Sequence, residues 1–192
     1  MILSNHPLTQ KMKKLALICV SDKQGIADFA TTLQEKFKYQ ILSTGETAFV
    51  LKNSGLQVTD ISSHTGSKEI MDGCITTLHP KIHGGLLCRR DNPTHLQQAI
   101  QSHIELIDLI VVNFYPFEKT IQQKNCTLEK AIEAIDIGGP AMIRSAAKNF
   151  ESVTIVTDPA DYPNILSALE NNTLSILRKQ FALKAFQKNY PI

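Results

Sequence analysis

The chain has 192 residues and a formal net charge of +2, with 43% hydrophobic and 20% charged residues, which are ordinary proportions for a globular protein. This length suits one domain, or one domain with a terminal extension, and is enough to bury a substantial core. The basic residues are scattered rather than clustered, so nothing favours a nucleic-acid or membrane surface. A small anionic ligand remains compatible with this charge.

Four cysteines lie far apart in the sequence, at Cys19, Cys74, Cys88 and Cys126. They show neither the close pairing of a zinc site nor the density of a secreted disulfide scaffold, so we expect reduced thiols in the cytoplasm. The N-terminal segment is too short and too polar for a signal peptide, and no apolar run reaches membrane-spanning length.

Short apolar runs alternate with helical patterns along the chain. The run from Leu15 to Val20 is typical of a buried parallel strand, and Ile26 to Lys36 has apolar residues at helical spacing. The same reasoning predicts strands at 39–43, 58–60, 106–112 and 153–156, and helices at 47–53, 94–104, 161–170 and 173–188, with two more starting at Thr127 and Pro140. This alternation indicates a doubly wound, mainly parallel α/β sheet flanked by helices. The segment from Ser62 to Arg90 is predicted to be irregular.

Polar residues follow the first two predicted strands, where open α/β sheets bind ligands. The loop from Ser21 to Gly25 follows the first strand, and the turn from Thr44 to Thr47 follows the second. Hydroxyl groups and a glycine at such a turn suit a phosphate, although an ordinary threonine cap is the alternative. Asn113 and Tyr115 follow a later strand, and a tyrosine between two phenylalanines is also typical of core packing.

The stretch from Ile135 to Asn149 combines a carboxylate, paired glycines and a late lysine around one helix start. Pro140 fits the first helical position, and the amides of Gly138 and Gly139 favour a nearby anion. The alternative is a helix that is simply capped by Asp136. Tertiary folding must decide whether Asp136 and Lys148 share a cleft.

His79 and His83 have the spacing of a helical metal pair, which makes a metal site an alternative for the irregular segment. Pro80 follows His79 directly and disfavours a helix there.

Five blocks of residues, in order, resemble the IMP cyclohydrolase domain of the bifunctional purine biosynthesis enzyme. They are Ser21-Asp22-Lys23, Ser43-Thr44-Gly45 with Thr47-Ala48, Thr77 to Lys81 with His83-Gly84-Gly85, Asn113 with Tyr115-Pro116-Phe117, and Ile135 to Asn149. The resemblance implies a methylglyoxal-synthase-like fold. It divides the chain into a flexible N-terminal extension (1–13), a cyclohydrolase-like α/β domain (14–160) and a C-terminal helical extension (161–192) like the linker to the family's transformylase domain, which is missing here.

The activity that this resemblance implies is a hydrolase-class ring closure that needs no metal or cofactor. A 5-formamidoimidazole-4-carboxamide ribonucleotide loses water and becomes inosine monophosphate (IMP). The family pattern implies that Lys148 and the amides after Asp136 face the formyl oxygen, and that Asp136 and Tyr115 move protons. The residues implied to bind substrate are Ser21, Lys23, Thr44, Gly45 and Thr47 at the 5′-phosphate, with Thr77, Asn113, Ile137 and Gly138.

Three positions depart from the family pattern. Cys74 and Thr76 replace an arginine and a lysine, and Glu46 replaces a glycine of the phosphate turn. The loss of two cations and the addition of a carboxylate are expected to weaken phosphate binding and catalysis.

Two alternatives to the enzyme therefore stay open. One is a catalytically lapsed domain that binds or senses a nucleoside monophosphate. The other is a phosphate-sensing domain like those attached to carbamoyl-phosphate synthetases, against which Tyr115, Asp136 and Lys148 argue. The expected partners are a purine-pathway nucleoside monophosphate, a possible separate transformylase, and a second copy bound through an apolar stripe at Leu177, Phe181 and Phe186.

Overall fold

The computed structural model describes residues 13–73, 75–113 and 117–189, and five strands in these ranges form one parallel sheet. The strands are β1 (Lys14–Val20), β2 (Tyr39–Ser43), β3 (Val58–Asp60), β4 (Leu109–Asn113) and β5 (Thr154–Val156). Their order across the sheet is β3-β2-β1-β4-β5, and every neighbouring pair is parallel. The predicted α/β fold with a parallel sheet is confirmed.

Helices connect the strands and cover both faces of the sheet. They are α1 (Ile26–Glu35), α2 (Gly45–Asn53), α3 (Ile61–Thr65), α4 (Pro80–Leu87), α5 (Pro93–Gln101), α6 (Phe117–Ile121), α7 (Leu128–Glu133), α8 (Gly138–Lys148), α9 (Tyr162–Glu170) and α10 (Leu174–Asn189). Single 3-10 turns lie at Met71–Gly73 and Pro159–Asp161.

The strand order changes direction beside β1. From β1 the chain moves outward through β2 to β3, and it then returns to place β4 on the other side of β1. The register pairs Val20 with Asn113, so the carboxyl ends of β1 and β4 lie side by side. Such a switch point leaves a crevice beyond the strand ends, where sheets of this kind bind ligands.

The apolar run in β1 forms the centre of the core. Leu15, Ala16, Leu17 and Ile18 are at most 3% exposed, because β1 has a strand on each side and helices over both faces. A strand buried on both faces has no reason to alternate polar and apolar residues, which explains the continuous apolar run in the sequence.

The segment that was predicted to be irregular contains a helix. Helix α4 begins at Pro80, directly after His79, whose Nδ1 accepts a hydrogen bond from the Lys81 amide at 3.1 Å. Proline is well tolerated at the first helical position, where its missing N–H has no helical partner to lose. The prediction failed because the proline was interpreted as a barrier to a helix rather than as its first residue.

Other boundaries also differ from the predictions. Helix α8 starts at Gly138 rather than at Pro140, and β4 starts at Leu109 rather than at residue 106. The short helices α3 and α6 were not predicted. The Thr127 cap is confirmed, since its hydroxyl oxygen accepts a hydrogen bond from the Lys130 amide at 3.3 Å.

The C-terminal helix α10 packs on α8 and β5 of the same chain. Phe181, Ala182 and Ala185 are buried there, and Leu177 lies against the same core. Part of the stripe that motivated dimerisation is therefore covered by its own domain, while Phe186 of the same stripe is exposed. Dimerisation through these helices stays a prediction, which light scattering at high micromolar concentration can check.

No helix among the described residues is both long enough and apolar enough to cross a membrane.

We expect Asn149→Ala to lower the free energy of unfolding by about 2 to 3 kcal/mol, because it leaves buried carbonyl groups without a donor. Asn149 ends α8, is 6% exposed, and donates from Nδ2 to the Leu86 and Cys88 carbonyls at 2.8 and 3.1 Å. Urea denaturation measures the change. The matched control is Asn171→Ala, which removes an asparagine from the exposed end of α9 and should cost under about 1 kcal/mol. Equal losses in the two variants would contradict this account.

Candidate active site

A cavity of about 420 Å³ opens at the carboxyl ends of β1, β2 and β4. Nine of the twelve residues predicted to form the site line it: Ser21, Lys23, Thr44, Thr47, Thr77, Asn113, Asp136, Ile137 and Gly138. They come from five separate parts of the chain, which the parallel sheet brings to one edge.

Of the other three predicted residues, Gly45 and Lys148 do not line this cavity. Tyr115 lies outside the described residues, as does Cys74. Gly45 is exposed and opens α2 in the left-handed conformation (φ 56°), next to two residues of the cavity wall. Lys148 is exposed in the last turn of α8, and a helix rise of about 1.5 Å per residue puts it about 15 Å from Gly138. The role implied for Lys148 therefore stays a prediction without support from its position in a single chain.

Asn113, at the end of β4, holds the loop that follows β1. Its Oδ1 accepts hydrogen bonds from the amides of Ser21 (2.8 Å) and Asp22 (2.9 Å), and its Nδ2 donates to the Asp22 carbonyl (3.3 Å). These bonds occupy the side chain with the protein itself. Asn113 consequently shapes the cavity by fixing the loop that carries Lys23.

Helix α2 is joined to the end of β1 by Thr47. The buried Thr47 hydroxyl donates to the Val20 carbonyl at 2.8 Å and accepts from the Val20 amide at 3.1 Å.

Thr44 precedes the helix in an extended conformation, and its side chain makes no capping hydrogen bond. The threonine-cap alternative is therefore wrong for Thr44, and the first turn of α2 presents uncapped amides that favour an anion.

The start of α8 forms the opposite wall. The Asp136 carboxylate accepts a hydrogen bond from the Gly139 amide at 2.9 Å, as a helix cap does. A side chain at Gly138 would collide with the Thr77 hydroxyl, and one at Gly139 would collide with the Asp136 carboxylate. The helix start thus approaches the Thr77 and Asp136 side chains closely, and a larger residue at either glycine would have to displace them.

The charges around the cavity are mostly negative. Within the described part of its lining, Lys23 is the single lysine or arginine, and Glu46, Glu133 and Asp136 are carboxylates. The Lys23 ammonium lies 2.8 Å from the Glu46 carboxylate. An anionic ligand that enters the cavity would therefore meet few free positive charges.

Cys19 lines the cavity although the sequence analysis did not select it. Burial raises the pKa of its thiol to about 12, a hydrogen bond with the Thr44 backbone lowers it, and the Asp136 charge raises it further. The thiol is consequently protonated near neutral pH and has little nucleophilic character. Cys19 is the next-to-last residue of β1, and the strand prediction could therefore have placed it at this edge of the sheet.

The two histidines of the metal alternative have protein partners. His79 Nδ1 accepts a hydrogen bond from the Lys81 amide, and His83 Nδ1 lies 2.8 Å from the Ser145 hydroxyl. Among the residues that the structure describes, no group of three or more His, Cys, Asp or Glu side chains could hold a metal ion.

We expect the free energy of unfolding to fall as the pH drops below about 6.5, the usual histidine pKa in an unfolded chain. Burial lowers the pKa of His83, a backbone hydrogen bond with Thr77 partly opposes this, and burial also lowers the pKa of His64. The folded chain therefore binds these protons less readily, and the stabilisation is lost as the pH falls through the folded pKa values. Urea denaturation at about pH 7.5 and about pH 5.5 measures the difference.

The variant His83→Gln should flatten this pH dependence, because it removes one of the two contributions. His103→Gln is the control, since His103 is exposed. An unchanged slope in the first variant would contradict the assignment.

Comparison with known proteins identifies the family. A model described as the MGS-like domain matches residues 25–141, and one described as the AICARFT/IMPCHase bienzyme matches residues 146–190. The chain belongs to the MGS-like domain family. The resemblance found in the sequence is thereby confirmed, both for the α/β domain and for its C-terminal helices.

Members with curated descriptions include two bifunctional purine biosynthesis proteins PurH. The one from Magnetococcus marinus is 58% identical over 156 residues, which are 81% of this chain and 29% of that protein. The one from Streptococcus suis is 52% identical over 178 residues, which are 92% of this chain and 34% of that protein. The chain thus spans about a third of the length of these relatives. A crystal structure of ForH is 32% identical, with a TM-score of 0.81, and the match covers 92% of this chain and 93% of ForH.

Proposed function

We propose that this chain carries out the IMP cyclohydrolase reaction, the ring closure of 5-formamidoimidazole-4-carboxamide ribonucleotide. The supporting observation is the convergence of nine residues implied by the family pattern on one cavity. The names of the relatives, bifunctional purine biosynthesis proteins, agree with this reaction.

The chemistry needs orientation and proton transfer more than a cofactor. The carboxamide nitrogen attacks the formyl carbon and forms the new C–N bond. The formyl oxygen then leaves as water, taking one proton from the carboxamide nitrogen and one from the formamido nitrogen. Both reacting groups belong to one molecule, so the site has to hold them in contact, stabilise the developing oxyanion and move these protons.

The α8 wall is suited to the reacting end of this substrate. The amides at the start of α8 are hydrogen-bond donors beside the positive end of the helix dipole, which favours a developing oxyanion. Asp136 lies at the same place and is the carboxylate that we propose as a proton-transfer group. We assign Tyr115 the second proton-transfer role by resemblance.

The opposite wall is suited to the 5′-phosphate. The uncapped first turn of α2, Thr44, Ser21 and Lys23 all lie there. By the resemblance, formyl transfer belongs to the family's second domain, so a separate transformylase activity would supply the formylated precursor.

The main rival is a domain that binds a nucleoside monophosphate without converting it. The observation that favours it is the charge of the cavity, where three carboxylates face one lysine among the described residues. Binding without turnover would follow if the site holds the ribonucleotide but cannot stabilise its reacting end.

A steady-state assay separates the two functions. The purified chain is incubated with the formylated precursor, and IMP formation is compared with the uncatalysed rate under the same conditions. We expect formation above that rate, and its absence despite tight binding of IMP would establish the rival. Calorimetry with IMP should give the same affinity before and after treatment with a chelator, and a loss of affinity would point to a metal.

A further inference from the structure

The Lys23 ammonium has three hydrogen-bond donors, and all three are used. Two are directed to the carbonyl oxygens of Val20 (3.1 Å) and Ser21 (3.3 Å), which fix the side chain at the end of β1. The third is directed to the Glu46 carboxylate at 2.8 Å. A ligand anion that approaches Lys23 must therefore compete with Glu46 for this ammonium group.

Glu46 is well placed for such competition. It is the second residue of α2, so its carboxylate lies near the uncapped helix start as well as near Lys23. Its side chain is 74% exposed, whereas that of Lys23 is 21% exposed. Exposed ion pairs contribute little to stability, so the carboxylate can turn into solvent while the better-fixed lysine stays in the cavity wall.

The other carboxylates of the cavity do not have this arrangement. Asp136 is bonded to the Gly139 amide, and Glu133 lies at the end of α7 beside it, on the α8 wall. Among the described residues of the lining, Glu46 is the carboxylate paired with a cation of the cavity.

We propose that Glu46 is an intramolecular competitor for the phosphate group of the ligand. Its carboxylate occupies Lys23 and the start of α2 until a phosphate dianion displaces it. The identity of the ligand as a nucleoside monophosphate rests on the proposed function, whereas the competition rests on the ion pair. Glu46 therefore weakens the contribution of the phosphate to ligand affinity and leaves the contribution of the nucleoside unchanged.

Calorimetry with IMP and with inosine, which lacks the phosphate, tests this competition. We expect Glu46→Gln to tighten IMP binding by about tenfold, because it removes both the occupant of Lys23 and a like charge beside the phosphate. Inosine binding should not change. In a Lys23→Gln background, the same Glu46→Gln change should improve IMP binding by only about twofold, since the cation for which the two anions compete is gone.

The matched control is Glu170→Gln, which removes a carboxylate from another exposed pair, with Lys36, away from the cavity. It should leave IMP affinity unchanged, and thermal unfolding should show that each variant is folded. Unchanged IMP affinity in Glu46→Gln would overturn the proposal, as would absence of IMP binding in both that variant and the wild type. An equal gain in the Lys23→Gln background would also overturn it, because simple repulsion would then explain the effect.

The ring-closure assay keeps this result separate from the proposed function. If wild type forms IMP and Glu46→Gln binds IMP no more tightly, only the competition is refuted. If Glu46→Gln binds IMP more tightly and neither variant forms product, the competition stands and the enzyme assignment fails.

Discussion

Asp136→Asn is expected to lower kcat for ring closure by about 100-fold or more, the usual contribution of a positioned proton-transfer group. Asparagine is as good a helix cap as aspartate, so the hydrogen bond from the Gly139 amide and the fold should survive. KM should change little, because the proposed phosphate position is at the opposite wall. Steady-state kinetics together with thermal unfolding measure both effects.

Two further variants separate the cap from the chemistry. Asp136→Ala should show a similar loss of kcat and, in addition, a loss of stability of about 1 kcal/mol, because the cap is removed. Glu129→Gln changes an exposed carboxylate on α7 outside the cavity and should leave kcat unchanged. A wild-type kcat in Asp136→Asn would mean that Asp136 serves the helix alone.

Thr76→Lys is expected to raise kcat/KM by about tenfold, through attraction between the new ammonium group and the anionic substrate. The Thr76 side chain lies beside Gly73, and both Gly73 and Thr77 line the cavity. Its hydroxyl is buried without a hydrogen-bond partner in the described part of the structure, so replacing it removes no such bond. Adding Cys74→Arg and Glu46→Gly should increase the gain, with Glu46→Gly acting mainly on affinity.

The control for net charge is Gln97→Lys, an exposed position on α5 that should have no effect. If Lys148 reaches the formyl oxygen as the resemblance implies, Lys148→Ala should abolish the gain of the restored variant. A restored variant that binds substrate tightly in a folded domain and forms no product would contradict the catalytic assignment.

The sequence by itself determined the five strands, most of the helices and the edge of the sheet at which the cavity opens. The apolar run of β1 could be recognised because a strand buried on both faces needs no polar alternation. Thr127 could be recognised as a cap because its bond reaches only three residues along the chain. The polar loops after β1 and β2 pointed to the edge at which the cavity opens, since parallel strands present their carboxyl ends together.

The start of α4 was not determined by the local sequence. Pro80 can either prevent a helix or begin one, and the sequence alone does not distinguish these cases. The choice depends on what α4 packs against, and Asn149 at the far end of α8 binds the carbonyls at the end of α4.

Only the tertiary structure decided which side chains act on one another inside the site. Asn113 holds a loop 92 residues earlier in the chain, and Glu46 takes the ammonium of Lys23. The structure also separated Lys148 from Asp136, although both belong to one motif, because a straight helix carries its last turn away from its first. Local patterns fix the direction of a side chain within its own element, whereas distances between elements follow from strand order and packing, which no short stretch of sequence contains.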